Sequence, residues 1–407
     1  MGLYAKWTMK MSELDVAAFV DAQVKAIKEA LGNEKALIAV SGGVDSTVSA
    51  LLTHRALGDN LICAFIDDNF MRLREPEKVK AMLSAPPLNL PVRILNERER
   101  FMHALKGLVD AEDKRLAFRE TFYQTLSDAA KAEECKYLVQ GTIRADIEET
   151  KGGIKTQHNI LEQIGIDPVE KFGYTVIEPI KSLYKYEVRE VARYLGAPEI
   201  AAERQPFPGP GLSVRVVGEI LKDKLEQVKA STVVVEESFK ELKPAQYFTA
   251  ILSGDSVEVP ENLMNEAVRA IGRDDVQVSV KYLSEKATGM VGGKRTYGSV
   301  AIVEVLDSSG NVVQFDYETL EALRETIQSN FPEVTRVLYQ IAGKSDENGY
   351  VISMRSVETQ DFLTADITKV PWNILTSTAT KILNVSPKAV KVYYDITPKP
   401  PATVEYE

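Results

Sequence analysis

The residues best suited to chemistry form one short loop at positions 41–46. Its members are Ser41, Gly42, Gly43, Val44, Asp45 and Ser46. The glycines let backbone N–H groups turn toward an anion, the serines add hydroxyl donors, and a helix starting here would add its positive dipole. A polyphosphate fits such a loop, although a tight strand-to-helix turn is the alternative. The loop is not a Walker motif, because the lysine of that motif is absent.

A second candidate is the polar, glycine-punctuated stretch from 145 to 171. Long loops inside compact domains are usually functional, and many close over a bound substrate. Lys155 could then reach the phosphates as a movable cation, with His158 three residues further on. A solvated surface position is the alternative for both residues.

The hydrophobic pattern predicts the scaffold that must hold these residues. Predicted strands at 36–40, 61–66, 92–95 and 137–140 alternate with predicted helices at 13–31, 45–57, 75–83 and 116–132. This alternation predicts an α/β fold with a doubly wound parallel sheet. Its ligand site should lie at the carboxyl ends of the strands, where the loop at 41–46, Asp67 and Gly141 fall. Asp67 is placed either to contact adenosine or to serve as a turn aspartate.

The length of 407 residues predicts two domains, because single cores stop growing near ~250–300 residues. Proline and glycine are densest at 205–211, so we place the boundary there and expect domains at 1–205 and 206–407. The second domain holds an internal repeat, at about 298–344 and 350–400. Each copy has a strand, helix, strand pattern, and the copies align at an offset of 55, as with Tyr339 and Tyr394. They could build one mixed sheet or one sheet each.

Composition limits the function classes. A net charge of −10 argues against general nucleic-acid binding, which needs clustered Lys and Arg. The only two cysteines, Cys63 and Cys135, favour a reducing compartment, so we expect a cytoplasmic protein. No apolar run approaches ~18 residues, so no membrane span is expected.

The loop at 41–46 resembles the pyrophosphate loop of the ATP pyrophosphatases, the group that includes GMP synthase, NAD synthetase, argininosuccinate synthetase and asparagine synthetase. Four blocks are similar to GMP synthases specifically. They are QPFPGPGLSVR at 205–215, MVGGKRTY at 290–297, RSVETQDFLTAD at 355–366 and YDITPKPPATVEYE at 394–407. The resemblance covers nearly the whole chain, apart from extra residues between about 240 and 345. It implies an adenine nucleotide alpha hydrolase-like domain followed by an α+β dimerisation domain with a duplicated βαβ-like unit.

The resemblance also implies a reaction. ATP is cleaved between its α and β phosphates to adenylate XMP, and ammonia then displaces AMP to give GMP. Asp45 would help hold Mg²⁺ at the pyrophosphate, and the chain would form a homodimer. Neither Cys63 nor Cys135 fits a glutaminase nucleophile, so ammonia would be free or supplied by a separate glutaminase subunit.

Site residues follow from the same resemblance. The residues similar to the XMP-binding residues of the family are Lys399, Thr403 and Glu405, with Arg215 as a phosphate partner and Gln340 as a contact from the first repeat copy. GMP synthases carry a lid with Lys, two His and Asn. This sequence has Gln157 where the first His is usual, which leaves Lys155 and His158 as the catalytic candidates.

Two other classes stay open. Another ATP pyrophosphatase, such as an NAD synthetase-like or tRNA-modifying enzyme, would share the phosphate loop but should lack the KPPATVEYE block at 399–407. A tRNA enzyme would also need a basic face. A non-catalytic nucleotide-binding module would bind ATP without forming AMP.

Overall fold

The computed structural model describes residues 14–151, 169, 173–198, 205, 207–344, 348–359 and 363–407. The chain divides into two compact units. Unit 1 takes its described residues from Met1–Asn69, Arg74–Arg100 and Arg119–Arg204, and unit 2 from Phe70–Leu73, Phe101–Phe118 and Gln205–Glu407. Unit 2 thus begins its long segment at Gln205 and also takes in two short segments that the sequence pattern places in the first domain.

The first half of the chain alternates strands with helices. The strands are β1 (Ala36–Ala39), β2 (Leu61–Asp67), β3 (Val92–Asn96), β4 (Tyr137–Val139) and β5 (Thr175–Ile177). The helices are α1 (Val16–Leu31), α2 (Val44–Leu57), α3 (Glu75–Ser84), α4 (Arg98–Ala104), α5 (Ala111–Ala132), α6 (Arg144–Lys151) and α7 (Lys185–Tyr194). All pairings in the sheet are parallel, in the order β3-β2-β1-β4-β5. The predicted α/β fold is confirmed.

The strand order reverses at β1, which pairs with β2 on one side and β4 on the other. β1 is almost fully buried, with Ala36, Leu37 and Ile38 at 0% exposure, as expected for a central strand covered on both faces. Loops leaving β1 and β4 therefore emerge side by side, at the switch point where open α/β sheets bind ligands.

Unit 2 is built on a nine-stranded mixed sheet. Its strands are β6 (Gln246–Ser253), β7 (Ser256–Glu258), β8 (Gln277–Leu283), β9 (Ala287–Val291), β10 (Lys294–Leu306), β11 (Val334–Gly343), β12 (Tyr350–Glu358), β13 (Asp366–Ile367) and β14 (Ala389–Asp395). Its further helices are α8 (Lys222–Phe239), α9 (Glu261–Ile271), α10 (Tyr317–Asn330) and α11 (Trp372–Val385). The main path runs β13-β12-β14-β11-β10-β8-β7, with β6 on β12 and β9 on β10.

The two repeat copies contribute to this single sheet. In copy 1 the strands β10 and β11 are parallel with α10 between them, and in copy 2 the strands β12 and β14 are parallel with α11 between them. Where the copies meet, β11 and β14 are antiparallel and Tyr339 pairs with Tyr394. Since these two residues are repeat equivalents, a local pseudo-twofold axis passes between them. The alternative of one sheet per copy is excluded.

The copies also share a detail of register. A bulge interrupts the parallel pairing between Ser299 and Val300 in copy 1, and between Tyr350 and Val351 in copy 2. After the bulge, Val303 pairs with Tyr339, and Met354 pairs with Tyr394. The first strands are therefore equivalent at an offset of 51, although the second strands keep the offset of 55. The connection between the first strand and the helix is four residues shorter in copy 1 than in copy 2. For this reason the sequence alignment at an offset of 55 does not extend to β10 and β12.

Candidate functional site

The predicted phosphate loop lies between β1 and α2. Gly42 has a φ of 77°, in the left-handed region that glycine adopts without strain. The hydroxyls of Ser41 and Ser46 lie 3.2 Å apart, and the backbone N–H of Ser41 is 3.3 Å from Ser46 Oγ. Gly43 caps α2 without a side-chain hydrogen bond, so the first N–H groups of the helix stay available to an anion.

Asp45 in the first turn of α2 is paired with a cation that the sequence analysis missed. Lys185 Nζ donates to Asp45 Oδ2 at 2.5 Å. Asp45 Oδ1 is buried and has no hydrogen-bond partner among the described residues. Lys185 is the first residue of α7, which follows β5. Its position in the sequence could have identified Lys185 as a candidate. The residue follows β5, and the carboxyl ends of all strands in a parallel sheet lie at the same edge.

Gly141 follows β4 and lies directly against the phosphate loop. A Cβ built on it would be 3.0 Å from both the carbonyl carbon of Asp45 and the backbone nitrogen of Ser46. Both are backbone atoms and cannot rotate away. Gly141 therefore contributes the space that lets the chain leaving β4 approach the start of α2.

Asp67 ends β2 and is engaged by its own chain. Its Oδ2 accepts from Arg98 Nε at 2.7 Å, and its Oδ1 accepts from the backbone N–H of Asn69 at 3.4 Å. The second contact is the turn role considered from the sequence. A contact with adenosine stays a prediction.

Lys155, Gln157 and His158 lie outside the described residues. Their predicted lid role stays a prediction.

A second group of predicted residues meets in unit 2 around Arg215 and Glu405. Arg215 Nε and Nη2 donate to the two carboxylate oxygens of Glu405 at 2.8 and 2.9 Å, a bidentate pair. Gln246 Nε2 donates to the same carboxylate at 2.8 Å. The guanidinium lies 4.0 Å from the centre of the Phe248 ring, and Arg215 Nη1 is buried without a partner among the described residues.

Two buried arginines position the segment that carries Thr403 and Glu405. Arg336 Nη2 donates to the carbonyl of Thr403 at 3.0 Å and to its hydroxyl at 3.1 Å. Arg355 donates to the carbonyls of Val404, Thr397 and Thr403, each at 2.9 Å. Sequence reasoning missed both arginines, although a charged residue inside an otherwise apolar strand is a signal for a buried pair.

Asp395 forms ion pairs with both arginines. Its Oδ2 lies 2.7 Å from Arg336 Nη1 and 2.8 Å from Arg355 Nη1, and all three side chains have 0% exposure. Tyr406 donates to the same oxygen at 2.9 Å. Burial alone would raise the pKa of Asp395, but the attraction of Arg355 and Arg336 holds it below its ordinary value. The carboxylate is therefore charged in the folded protein at neutral pH.

The block at 205–215 reaches this segment through Arg215, and the other three sequence blocks also come together here. The backbone of Lys399 exchanges two hydrogen bonds with that of Ala365, and Met290 N–H donates to the carbonyl of Pro401 at 2.6 Å. Thr403 Oγ1 also lies 3.1 Å from the carbonyl of Thr288. The blocks at 290–297, 355–366 and 394–407 thus build one place in the fold.

Gln340 does not join that place. It lines a cavity of about 680 Å³ at the ends of β10 and β11, together with side chains from α11 and β14. The residues predicted to bind XMP are therefore divided between two locations within unit 2.

One carboxylate is available for a divalent cation at the phosphate loop. The described residues contain no group of three or more His, Cys, Asp or Glu side chains that could hold a metal ion. Mg²⁺ is commonly bound by one or two carboxylates together with substrate phosphates, so the unpartnered Oδ1 of Asp45 fits such a site. Within the described ranges, no helix combines the length and apolar character needed to cross a membrane.

Comparison with known proteins identifies the C-terminal part of the chain. The family model for the GMP synthase C terminal domain matches twice, over residues 265–347 and 345–406, one match for each repeat copy. Among solved structures, an NH3-dependent NAD synthetase from Campylobacter jejuni aligns with 48% of this chain and 80% of its own, at 19% identity and a TM-score of 0.38.

Curated relatives match over almost their whole length, and each is named as one subunit of a glutamine-hydrolyzing GMP synthase. The protein from Sulfurisphaera tokodaii is 45% identical over 393 residues, covering 97% of this chain and 99% of its own. The protein of the same name from Saccharolobus solfataricus is 42% identical, covering 97% of this chain and 100% of its own. The chain therefore belongs to this family of GMP synthase subunits.

Proposed function

We propose that this chain is the synthetase component of a two-subunit GMP synthase. It is a ligase that aminates XMP to GMP at the expense of ATP, through an adenylyl-XMP intermediate, with release of AMP and pyrophosphate. The observation that carries this proposal is the 45% identity to the Sulfurisphaera tokodaii protein over 97% of the chain. The ammonia comes from a separate glutaminase subunit, as the naming of those relatives suggests, or from solution.

The ATP phosphates bind at the loop formed by residues 41–46. Its glycine-bearing turn and the free N–H groups at the start of α2 supply donors, and Lys185 supplies a positive charge beside them. Asp45 Oδ1 would hold Mg²⁺, whose charge screens the pyrophosphate. Lys185 then serves as a partner that keeps Asp45 oriented toward the phosphates.

XMP binds in unit 2 at the segment held by Arg336 and Arg355. Glu405 accepts from base or ribose donors, and Arg215 fixes the orientation of that carboxylate by its two parallel hydrogen bonds. Lys399 and Thr403 supply a cation and a hydroxyl to the nucleotide phosphate. Because the segment is tied through its backbone carbonyls, these side chains are positioned before substrate arrives.

Catalysis on this view is alignment and charge stabilisation. The XMP 2-oxygen attacks the α phosphate of ATP, pyrophosphate departs, and ammonia then displaces AMP from the purine. The phosphate loop and the lid residues Lys155 and His158 stabilise the charge that develops on the leaving pyrophosphate. No side chain acts as a nucleophile. A homodimer and a cytoplasmic location complete the proposal.

The direct test is to mix the purified chain with XMP, MgATP and ammonium and to identify the products. We expect AMP, pyrophosphate and GMP in equal amounts. ADP and orthophosphate would contradict cleavage between the α and β phosphates. AMP formed with nicotinic acid adenine dinucleotide but not with XMP would identify an NAD synthetase-like enzyme instead.

Glu405→Gln tests the XMP site. The substitution keeps the shape and an acceptor for Arg215 but removes the charge, and a hydrogen bond to a charged group is worth ~1.5–3 kcal/mol. We expect the KM for XMP to rise about 10- to 100-fold, as that free energy predicts, with little change in the KM for ATP. Steady-state assays with each substrate varied would measure this. Glu237→Gln, on an exposed part of α8, is the matched control; equal effects of the two variants would remove Glu405 from the site.

A further inference from the structure

The pseudo-twofold axis between Tyr339 and Tyr394 relates a fully buried cluster to a second cluster that is partly exposed. The first cluster is Arg336, Arg355 and Asp395, which holds the segment 397–405. Using the offsets of 55 and 51 given by the strand pairing, the equivalents of these residues are Lys391, Glu304 and Gln340. The second cluster therefore occupies, in the other half of the sheet, the position of the cluster that builds the XMP site.

The two clusters differ in what covers them. The segment 397–407 of this chain folds over the first. The second cluster instead lines the cavity of about 680 Å³. This volume lies within the ~300–1,000 Å³ typical of small-molecule sites. The cavity is thus the pseudo-symmetry equivalent of the location that the segment 397–407, which we propose binds XMP, occupies at the first cluster.

The second cluster contains a polar group that lacks a partner. Glu304 is engaged through one carboxylate oxygen, because Lys391 Nζ and the Tyr393 hydroxyl both donate to its Oε1 at 2.6 Å. Gln340 is only 6% exposed, and its Oε1 has no hydrogen-bond partner among the described residues. A buried acceptor without a hydrogen bond costs ~1–3 kcal/mol of stability. A donor on a bound ligand would recover that free energy.

Other side chains in the cavity suit a planar base and an anion. Trp372 is half-buried, and its Nε1 donates to the carbonyl of Phe315 at 2.6 Å, which fixes the ring plane. The ammonium of exposed Lys344 is held at the rim by the carbonyls of Pro387 and Ala389, at 3.1 and 2.8 Å, with one N–H left to donate. The cavity thus presents a fixed aromatic ring, a buried acceptor and a cation.

We propose that this cavity binds a purine nucleoside monophosphate, at a second site distinct from the one at Arg215 and Glu405. An N–H donor of the base bonds Gln340 Oε1, the ring contacts Trp372, and the phosphate pairs with Lys344. This inference rests on the proposed function only for the choice of purine nucleotides as the ligand class. GMP, AMP and XMP all have the planar base and the phosphate that the site would recognise.

The test is isothermal titration of the full chain with GMP, AMP and XMP in separate experiments. We expect at least one of these nucleotides to bind with an affinity that Lys344→Gln and Gln340→Leu each reduce about tenfold or more. Glu405→Gln should leave that affinity unchanged. Lys381→Gln, an exposed lysine of α11, is the control and should change nothing. Ribose 5-phosphate and inorganic phosphate are the comparison ligands, and both should bind at least tenfold more weakly.

The outcomes separate this proposal from the proposed function. The second site would be overturned if Glu405→Gln were the only variant that weakened nucleotide binding. It would also be overturned if neither Lys344→Gln nor Gln340→Leu affected the binding of any nucleotide. Both conclusions hold whether or not XMP is aminated. Failure of the product assay would overturn the proposed function, yet a binding event sensitive to Lys344→Gln would still support the cavity site. A melting temperature of Gln340→Leu equal to that of the parent chain would show that lost binding is not unfolding.

Discussion

Asp395→Ala is expected to lower the free energy of unfolding by ~3–5 kcal/mol, the cost of leaving buried charge uncompensated. The carboxylate accepts from Arg336, Arg355 and Tyr406 at 0% exposure. Without it, two guanidinium groups repel each other in the interior of the sheet. Urea unfolding followed by circular dichroism would measure the change, with Asp274→Ala, at an exposed position before β8, as the control.

The stability lost in Asp395→Ala should depend on pH with a defined sign. Because the folded protein holds the pKa of Asp395 below its ordinary value of 3.8, the carboxylate stabilises the fold fully at pH values above 3.8. That contribution is lost as the pH falls through the lower folded-state pKa. The two chains should therefore converge in stability only in acid. A difference below ~1 kcal/mol at pH 7, as for an ordinary surface ion pair, would contradict the role given to this cluster.

Asp45→Asn is expected to reduce kcat by at least ~100-fold, as removal of one preorganised charge-stabilising group does in other enzymes. The amide keeps the size of the side chain but cannot hold a divalent cation as a carboxylate does. Turnover of XMP to GMP would be followed by AMP release across a range of Mg²⁺ concentrations. The variant should need more Mg²⁺ for half-maximal rate, a shift that a purely structural role would not produce.

Asp59→Asn, at an exposed position after α2, is the matched control for Asp45→Asn. It should leave both the rate and the Mg²⁺ requirement unchanged. If Asp45→Asn turned over at the parent rate with the parent Mg²⁺ dependence, the carboxylate would have no part in holding the metal ion. Circular dichroism would verify that both variants keep the fold.

Local patterns predicted much of the fold. The strands at 36–40 and 61–66 are apolar runs long enough to identify, and the repeat is visible because buried positions such as Leu320 and Leu375 recur at a fixed spacing. The loop at 41–46 could be recognised for a similar reason, because the groups proposed to bind phosphate are neighbours in the sequence. Sites whose residues are neighbours along the chain can therefore be predicted from a single sequence.

The long-range pairs could not be read in this way. Asp45 and Lys185 are 140 residues apart, and Arg215 and Glu405 are 190 apart. Nothing in either local segment specifies its partner, because the pairing is set by the order of strands in the sheet. Gln340 is another example, because its repeat position was visible in the sequence, but the cavity it lines is formed by residues of β10, β11, α11 and β14 that no local pattern brings together.

The antiparallel contact of β11 with β14 has an evolutionary consequence. In an assembly of two identical chains, every substitution appears on both sides of the symmetry axis, so both halves must tolerate it. Here the related halves are encoded separately within one gene. A lysine, a glutamate and a glutamine could therefore replace the counterparts of the arginine–aspartate cluster on one side while the other side kept its chemistry, and selection could act on each half alone.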